Sequence, residues 1–150
     1  MQVYLDNSAT TRPSDAAVNA MVTSMREDYF NPSALYAPAL RAEQAIHGAR
    51  RTLAASVKAP ERNVVFTSGG TESDNLAILG HMQTVRGEAE LLYTAAEHAA
   101  VKNACLEAQK RYGCKATEVP LIQYGSVDLN ALAALLCEKT AMICVMQVCN

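Results

Sequence analysis

Three short segments of this 150-residue sequence contain residues whose types and spacing could do chemistry. In the first, Thr67-Ser68-Gly69-Gly70-Thr71-Glu72, two glycines let the backbone turn tightly before a helical sequence. A helix start offers free N–H groups and the positive end of the helix dipole, and Thr71 adds a hydroxyl. Gly70 and Thr71 are therefore candidates to bind a phosphate group, although the segment is neither a P-loop nor a GxGxxG motif. A turn that uses glycine for geometry alone is the competing interpretation.

The second and third segments each follow a predicted strand. Thr94-Ala95-Ala96-Glu97-His98 places an imidazole where it could stack on a flat aromatic cofactor or transfer protons, which makes His98 a candidate catalytic residue. Simple capping of the following helix by His98 is the alternative. Met146-Gln147-Val148-Cys149-Asn150 ends an apolar strand in polar residues, so Asn150 could donate a hydrogen bond to a ligand oxygen or merely form a turn.

An alternation of helical and strand-type segments positions these residues and predicts an α/β fold. Helical periodicity begins at Ala17 behind a possible Ser14 cap, and returns between the Asn31-Pro32 turn and Ala59-Pro60. Beyond residue 60, the predicted strands are 64–67, 91–94, 115–121 and 140–148, and the predicted helices include 99–112 and 129–136.

Strands that alternate with helices imply right-handed crossovers and a mostly parallel sheet with helices on both faces. Ligands of such sheets bind beyond the carboxyl ends of the strands. Residues 67–71, 95–98 and 149–150 should therefore meet at one edge.

Composition excludes several other classes of protein. The 13 basic and 15 acidic residues form no run of like charge, which argues against nucleic acid as a partner. No stretch reaches the length of a membrane span and the start lacks an apolar leader, so we expect a cytoplasmic protein that does not bind membranes. The five cysteines include no CxxC pair, so no metal site is expected, and Cys149 is interpreted as a buried apolar residue.

Taken together and in order, five motifs resemble the cysteine desulfurases of the class V aminotransferase group, which have the type I pyridoxal-phosphate fold. The resemblance covers the chain from Val3 onward. The motifs are Tyr4-Leu5-Asp6-Asn7-Ser8-Ala9-Thr10-Thr11, Asn31-Pro32-Ser33, Val65-Phe66-Thr67-Ser68-Gly69-Gly70-Thr71-Glu72-Ser73-Asp74-Asn75-Leu76-Ala77, Glu97-His98 and Val145-Met146-Gln147-Val148-Cys149-Asn150.

The resemblance implies a role for each candidate residue. Gly70 and Thr71 would hold the phosphate of pyridoxal 5'-phosphate, His98 would stack on its pyridine ring, and Asn150 would bond its phenolic oxygen. The implied reaction takes sulfur from L-cysteine, leaving L-alanine and an enzyme persulfide for iron–sulfur cluster assembly or thiolation. A sulfur-acceptor protein and a homodimer are the implied partners.

Departures from the family pattern leave other hypotheses for the function open. Phe30, Tyr36 and Cys149 stand where the family often has Gly, His and Asn, so a selenocysteine lyase or another class V relative is an alternative. A non-catalytic binding or assembly domain is a further one.

The family's Schiff-base lysine, pyridine-nitrogen aspartate and persulfide cysteine lie beyond the position matching Asn150. We therefore expect an inactive, truncated piece of a desulfurase. Its residues 1–60 would form an N-terminal segment with helices, and residues 61–150 the first part of the cofactor-binding large domain, in one continuous domain.

Overall fold

Five α-helices and three β-strands form within residues 3–148, the part of the chain that the computed structural model describes. They belong to two units, one ending at Phe66 and the other starting at Thr67. The domain division predicted at residue 60 stays a prediction.

The first unit contains two helices. α1, Asp15–Arg26, begins behind Ser14, whose hydroxyl accepts the N–H of Ala17 at 3.2 Å, and this confirms the predicted cap. α2, Ala37–Ser56, has a proline in its first turn, where the missing N–H removes no helical hydrogen bond. It ends before the predicted stop at Ala59-Pro60, because Lys58 adopts the left-handed conformation in which helices commonly end, with φ 53°.

The second unit contains a three-stranded sheet and three helices. Its elements in chain order are α3 (Gly70–Thr84), β1 (Glu90–Thr94), α4 (Ala99–Tyr112), β2 (Lys115–Val119), α5 (Leu129–Leu135) and β3 (Thr140–Cys144). The strand order is β2-β1-β3 and both pairings are parallel, which confirms the predicted α/β class and parallel sheet.

The core of this unit lies on one face of β1. Leu91 and Tyr93 alternate along the strand, so both point to the same face, where they pack with Ile78 and Met82 of α3. The α4 residues in this core are small, which lets the helix lie close to the sheet; they are Ala104, Cys105 and Ala108. The opposite face of β1 is buried as well, since Leu92 is 0% and Thr94 1% exposed.

The crossovers put helices on both sides of the sheet. The connection through α4 leads from β1 to β2, and the connection through α5 leads back across β1 to β3. Because parallel crossovers are right-handed, connections that run in opposite directions lie on opposite faces. α5 is therefore on the face away from α3 and α4.

One predicted strand did not form and two others end earlier than predicted, for reasons of pairing. Residues 64–67 belong to no strand among the described residues. β2 stops at Val119 because Pro120 has no N–H to donate to a ladder. β3 stops at Cys144, the partner of Tyr93, because its neighbour β1 ends one residue later.

Candidate cofactor-binding site

The start of α3 lies at the carboxyl edge of the sheet. Near the other end of this helix, the Nε2 atom of His81 donates to the carbonyl oxygen of Ala141, close to the start of β3, at 3.1 Å. The middle of the helix packs on β1 through Ile78. A helix of 15 residues is about 22 Å long, longer than a strand of five residues, so its first turn reaches the far edge. Gly70 and Thr71 therefore lie where β1 ends.

No side chain caps the first turn of α3, which leaves its leading N–H groups open to a ligand. A Cβ added at Gly69 or Gly70 would meet nothing within 4 Å, and Gly69 has an extended backbone at φ 166°. Neither the packing of the described residues nor the backbone conformation requires these glycines. The open space in front of the helix is what a closely bound phosphate needs.

Hydrogen bonds hold the turn before α3 without using the Thr71 hydroxyl. The backbone N–H and the hydroxyl of Ser68 both donate to Glu72, each at 2.6 Å, and they lower the pKa of that carboxyl group. The Thr67 hydroxyl bonds that of Ser73 at 2.6 Å. The loop is thus shaped by its own side chains.

His98 lies in the short loop after β1, four residues beyond Thr94, and caps α4. Its Nδ1 accepts the N–H of Ala100 at 3.1 Å, so the neutral ring carries its proton on Nε2. The histidine is exposed, so the ring is accessible to a ligand. The structure brings His98 to the same edge as Gly70 and Thr71, whereas Asn150 lies outside the described residues.

Glu97 is a residue at this edge to which sequence reasoning gave no role. Its Oε1 accepts a hydrogen bond from the Thr94 hydroxyl and another from the N–H of Met146, both at 2.6 Å. The carboxylate thus joins the loop after β1 to the segment after β3. Its signals in the sequence are a carboxylate just beyond a strand end, three residues after a threonine, and its place in the Glu97-His98 motif.

A cavity of about 640 Å³ opens at this edge, and Gly70, Thr71 and His98 lie outside its lining. Its walls come from the segments that follow all three strands: Ala96 after β1, Leu121 and Tyr124 after β2, and Met146 and Gln147 after β3. The cavity lies in the crevice beyond the strands where α/β sheets bind ligands, and its volume is typical of small-molecule sites.

Residues 3–148 contain neither a candidate metal site nor a candidate membrane-spanning helix. No group of three or more His, Cys, Asp or Glu side chains could hold a metal ion. None of the described helices is long and apolar enough to cross a membrane.

Comparison with known proteins gives consistent matches over nearly the whole chain. The sequence pattern of the Aminotransferase class-V family matches residues 3–150. A cysteine desulfurase of Gluconacetobacter diazotrophicus is 39% identical over 145 residues, which are 96% of this chain and 36% of that protein. The chain thus spans little more than a third of this relative's length.

Two solved structures have the same fold. A NifS-like protein superposes with a TM-score of 0.86 at 31% identity, covering 97% of this chain and 40% of the other. SspA, solved in complex with cysteine, gives a TM-score of 0.77 at 27% identity, covering 92% and 40%. These matches confirm the predicted resemblance and the predicted fold, part of the large domain of a type I pyridoxal-phosphate enzyme. The chain belongs to the aminotransferase class-V family.

Proposed function

We propose that the full-length protein is a pyridoxal-phosphate-dependent cysteine desulfurase and that this chain provides part of its cofactor site. The observation that carries the proposal is that the uncapped start of α3 at Gly70 and the exposed His98 lie at the same edge of a parallel sheet. Sequence identity to a cysteine desulfurase supports it. The reaction would move sulfur from L-cysteine to an enzyme thiol and release L-alanine.

The residues at this edge fit the chemical groups of pyridoxal phosphate. The free N–H groups at Gly70 and Thr71 and the Thr71 hydroxyl would hold the phosphate, since no side chain caps this helix start and a Cβ added at Gly70 would meet nothing within 4 Å. The ring of His98 would stack on the pyridine, because the capping bond uses only an edge nitrogen, Nδ1. Asn150 would bond the phenolic oxygen.

The chain's own groups would bind, orient and move protons. When bound, pyridoxal phosphate supplies the electron sink for carbanion chemistry. With Nδ1 engaged by Ala100, the Nε2 atom of His98 is the ring atom that can give or take a proton at the site. This assigns His98 the catalytic role in addition to stacking.

The wider biological setting belongs to the same proposal. L-cysteine is supported as substrate by the likeness to SspA, which was solved in complex with cysteine. A sulfur-acceptor protein, a homodimer, a cytoplasmic location and supply of sulfur for iron–sulfur clusters follow from the family resemblance.

The first prediction tests the function directly. Full-length protein mixed with pyridoxal phosphate and L-cysteine should release equal amounts of alanine and, with a thiol reductant, sulfide.

Thr71→Val should weaken cofactor binding measured by absorbance titration by about 10–100-fold, because a charge-assisted hydrogen bond contributes about 1.5–3 kcal/mol. Thr84→Val is the matched control, since the Thr84 hydroxyl bonds a backbone oxygen at the opposite end of α3.

Three outcomes would contradict parts of this proposal. Cofactor binding without any sulfide would indicate a non-catalytic domain. Turnover of L-selenocysteine in the absence of turnover of L-cysteine would indicate a selenocysteine lyase. Equal affinities of Thr71→Val and Thr84→Val would remove the phosphate role from Thr71.

A further inference from the structure

Glu97 is the contact between the loop after β1 and the segment after β3. One oxygen of its carboxylate, Oε1, accepts hydrogen bonds from the Thr94 hydroxyl and from the N–H of Met146, both at 2.6 Å. Thr94 is 1% exposed, so one of the two donors is fixed in the core. Glu97 therefore ties Met146 to a rigid part of the sheet.

The carboxylate takes the place of a missing backbone acceptor. The ladder between β1 and β3 ends at the pair Tyr93 and Cys144. On the other side of β1, the ladder continues one step further, because the Ala95 N–H donates to the Val119 carbonyl at 3.0 Å. On the β3 side, the N–H of Met146, two residues beyond Cys144, bonds a side chain instead. The backbones of β1 and β3 are therefore free to diverge, and Glu97 bridges the gap.

The bridge lies beside the proposed cofactor site. Glu97 stands between Ala96, which lines the cavity, and His98, which would stack on the ring. Met146, at the other end of the bridge, lines the same cavity. A change in the position of this carboxylate therefore moves two cavity walls and the loop that carries His98.

We propose that Glu97 is a positioning residue for the cofactor: its carboxylate fixes the loop bearing His98 to the segment that leads from β3 toward Asn150. This inference rests on the proposed function, because it assigns pyridoxal phosphate to this edge. It adds a residue that would touch no part of the cofactor and act through the two segments that do.

The test compares two substitutions at Glu97 in the full-length protein. Glu97→Ala removes the bridge, and we expect about tenfold or greater loss of pyridoxal phosphate affinity with a shifted absorbance of the bound cofactor. Glu97→Gln keeps an oxygen that can accept both hydrogen bonds, so we expect affinity within about threefold of wild type and an unshifted absorbance. Glu118→Ala is the control, because it removes a carboxylate of the same sheet that pairs with Lys102 on the surface.

A second measurement follows the bridge without the cofactor. Hydrogen exchange of the Met146 amide should accelerate in Glu97→Ala and stay slow in Glu97→Gln and Glu118→Ala. If Glu97→Ala does not fold, Thr94→Val replaces it, because this substitution keeps the shape of a buried residue and removes one of the two donors. That variant should lose about threefold or more in affinity, with the same direction of absorbance shift.

The outcomes separate this inference from the function on which it rests. A wild-type protein that fails to bind pyridoxal phosphate overturns both. A wild-type protein that binds it, together with Glu97→Ala of unchanged affinity and absorbance, overturns the positioning role alone. Equal losses in Glu97→Ala and Glu97→Gln also overturn that role, since they would make the charge of Glu97 responsible in place of its two hydrogen bonds.

Discussion

The imidazole of His98 serves a local structural purpose with one nitrogen and leaves the rest of the ring accessible. Its Nδ1 accepts the N–H of Ala100 and caps α4. At the sequence level, capping and ligand binding were competing interpretations of this histidine. In the structure they are compatible, because the cap fixes the ring at its edge and sets the tautomer.

Substitutions at His98 should separate these contributions. His98→Asn keeps a good capping side chain and removes the ring, so α4 should stay stable while cofactor affinity falls by about three- to tenfold, the equivalent of a stacking contact. His98→Phe keeps a ring and removes the cap, so the helix should lose about 1 kcal/mol while affinity is largely retained and turnover falls. Thermal unfolding, cofactor titration and alanine release measure the three quantities. Full turnover by His98→Phe would contradict a proton-transfer role.

The positions of residues that depend on local sequence could be predicted, whereas a contact between distant partners could not. Gly70 and His98 were predicted at element ends because glycine and a polar run interrupt the apolar periodicity nearby. Glu97 stayed without a role because its partner Met146 is 49 positions away in the chain. That pairing exists only once β3 lies beside β1.

At the scale of elements, α4 was predicted with the bounds that the structure has. The helix starts behind its His98 cap and ends at Gly113, which adopts the left-handed conformation with φ 71°. Both limits are local signals. Strand limits were less predictable because a strand extends only as far as a neighbour that can pair with it.

Two glycines of the second unit should respond to alanine in opposite ways. Gly113→Ala places a side chain in the left-handed region and should destabilise the end of α4 by about 1–2 kcal/mol. Gly80→Ala lies inside α3 with nothing within 4 Å of the added Cβ, and it should stabilise that helix by about 0.5–1 kcal/mol. Native-state hydrogen exchange of the α3 and α4 amides measures both. A destabilising Gly80→Ala would mean that the open space at Gly80 is filled in solution.

At the scale of the whole molecule, none of the four lysines of the second unit combines a place at the carboxyl edge of the sheet with an unpaired amine. Lys115 opens β2 and Lys139 precedes β3, so both are at the amino edge of the sheet, and Lys139 pairs with Glu88. Lys102, in the first turn of α4, bonds Glu118 at 2.8 Å, which raises the pKa of its amine. A raised pKa keeps the amine protonated and a poor nucleophile.

The 150-residue chain alone should therefore form no site-specific lysine adduct with pyridoxal phosphate. Borohydride reduction followed by peptide mass spectrometry should find only weak, scattered modification that inorganic phosphate does not suppress. Modification of one lysine that phosphate prevents would show that an amine reaches the start of α3. It would also reassign the covalent anchor to this part of the protein.

The position of β1 between its two partners has a consequence for synthesis on the ribosome. β1, α4 and β2 follow one another in the chain, so their crossover can assemble as soon as Val119 has left the exit tunnel. The other side of β1 must wait for Cys144, whose translation comes on the order of a few seconds later at roughly 5–20 residues per second. During that interval the nascent chain exposes one unpaired edge of the apolar strand β1, the kind of surface that chaperones bind. Slow codons between Pro120 and Thr140 would lengthen this exposure and lower the yield of folded protein without changing a single residue.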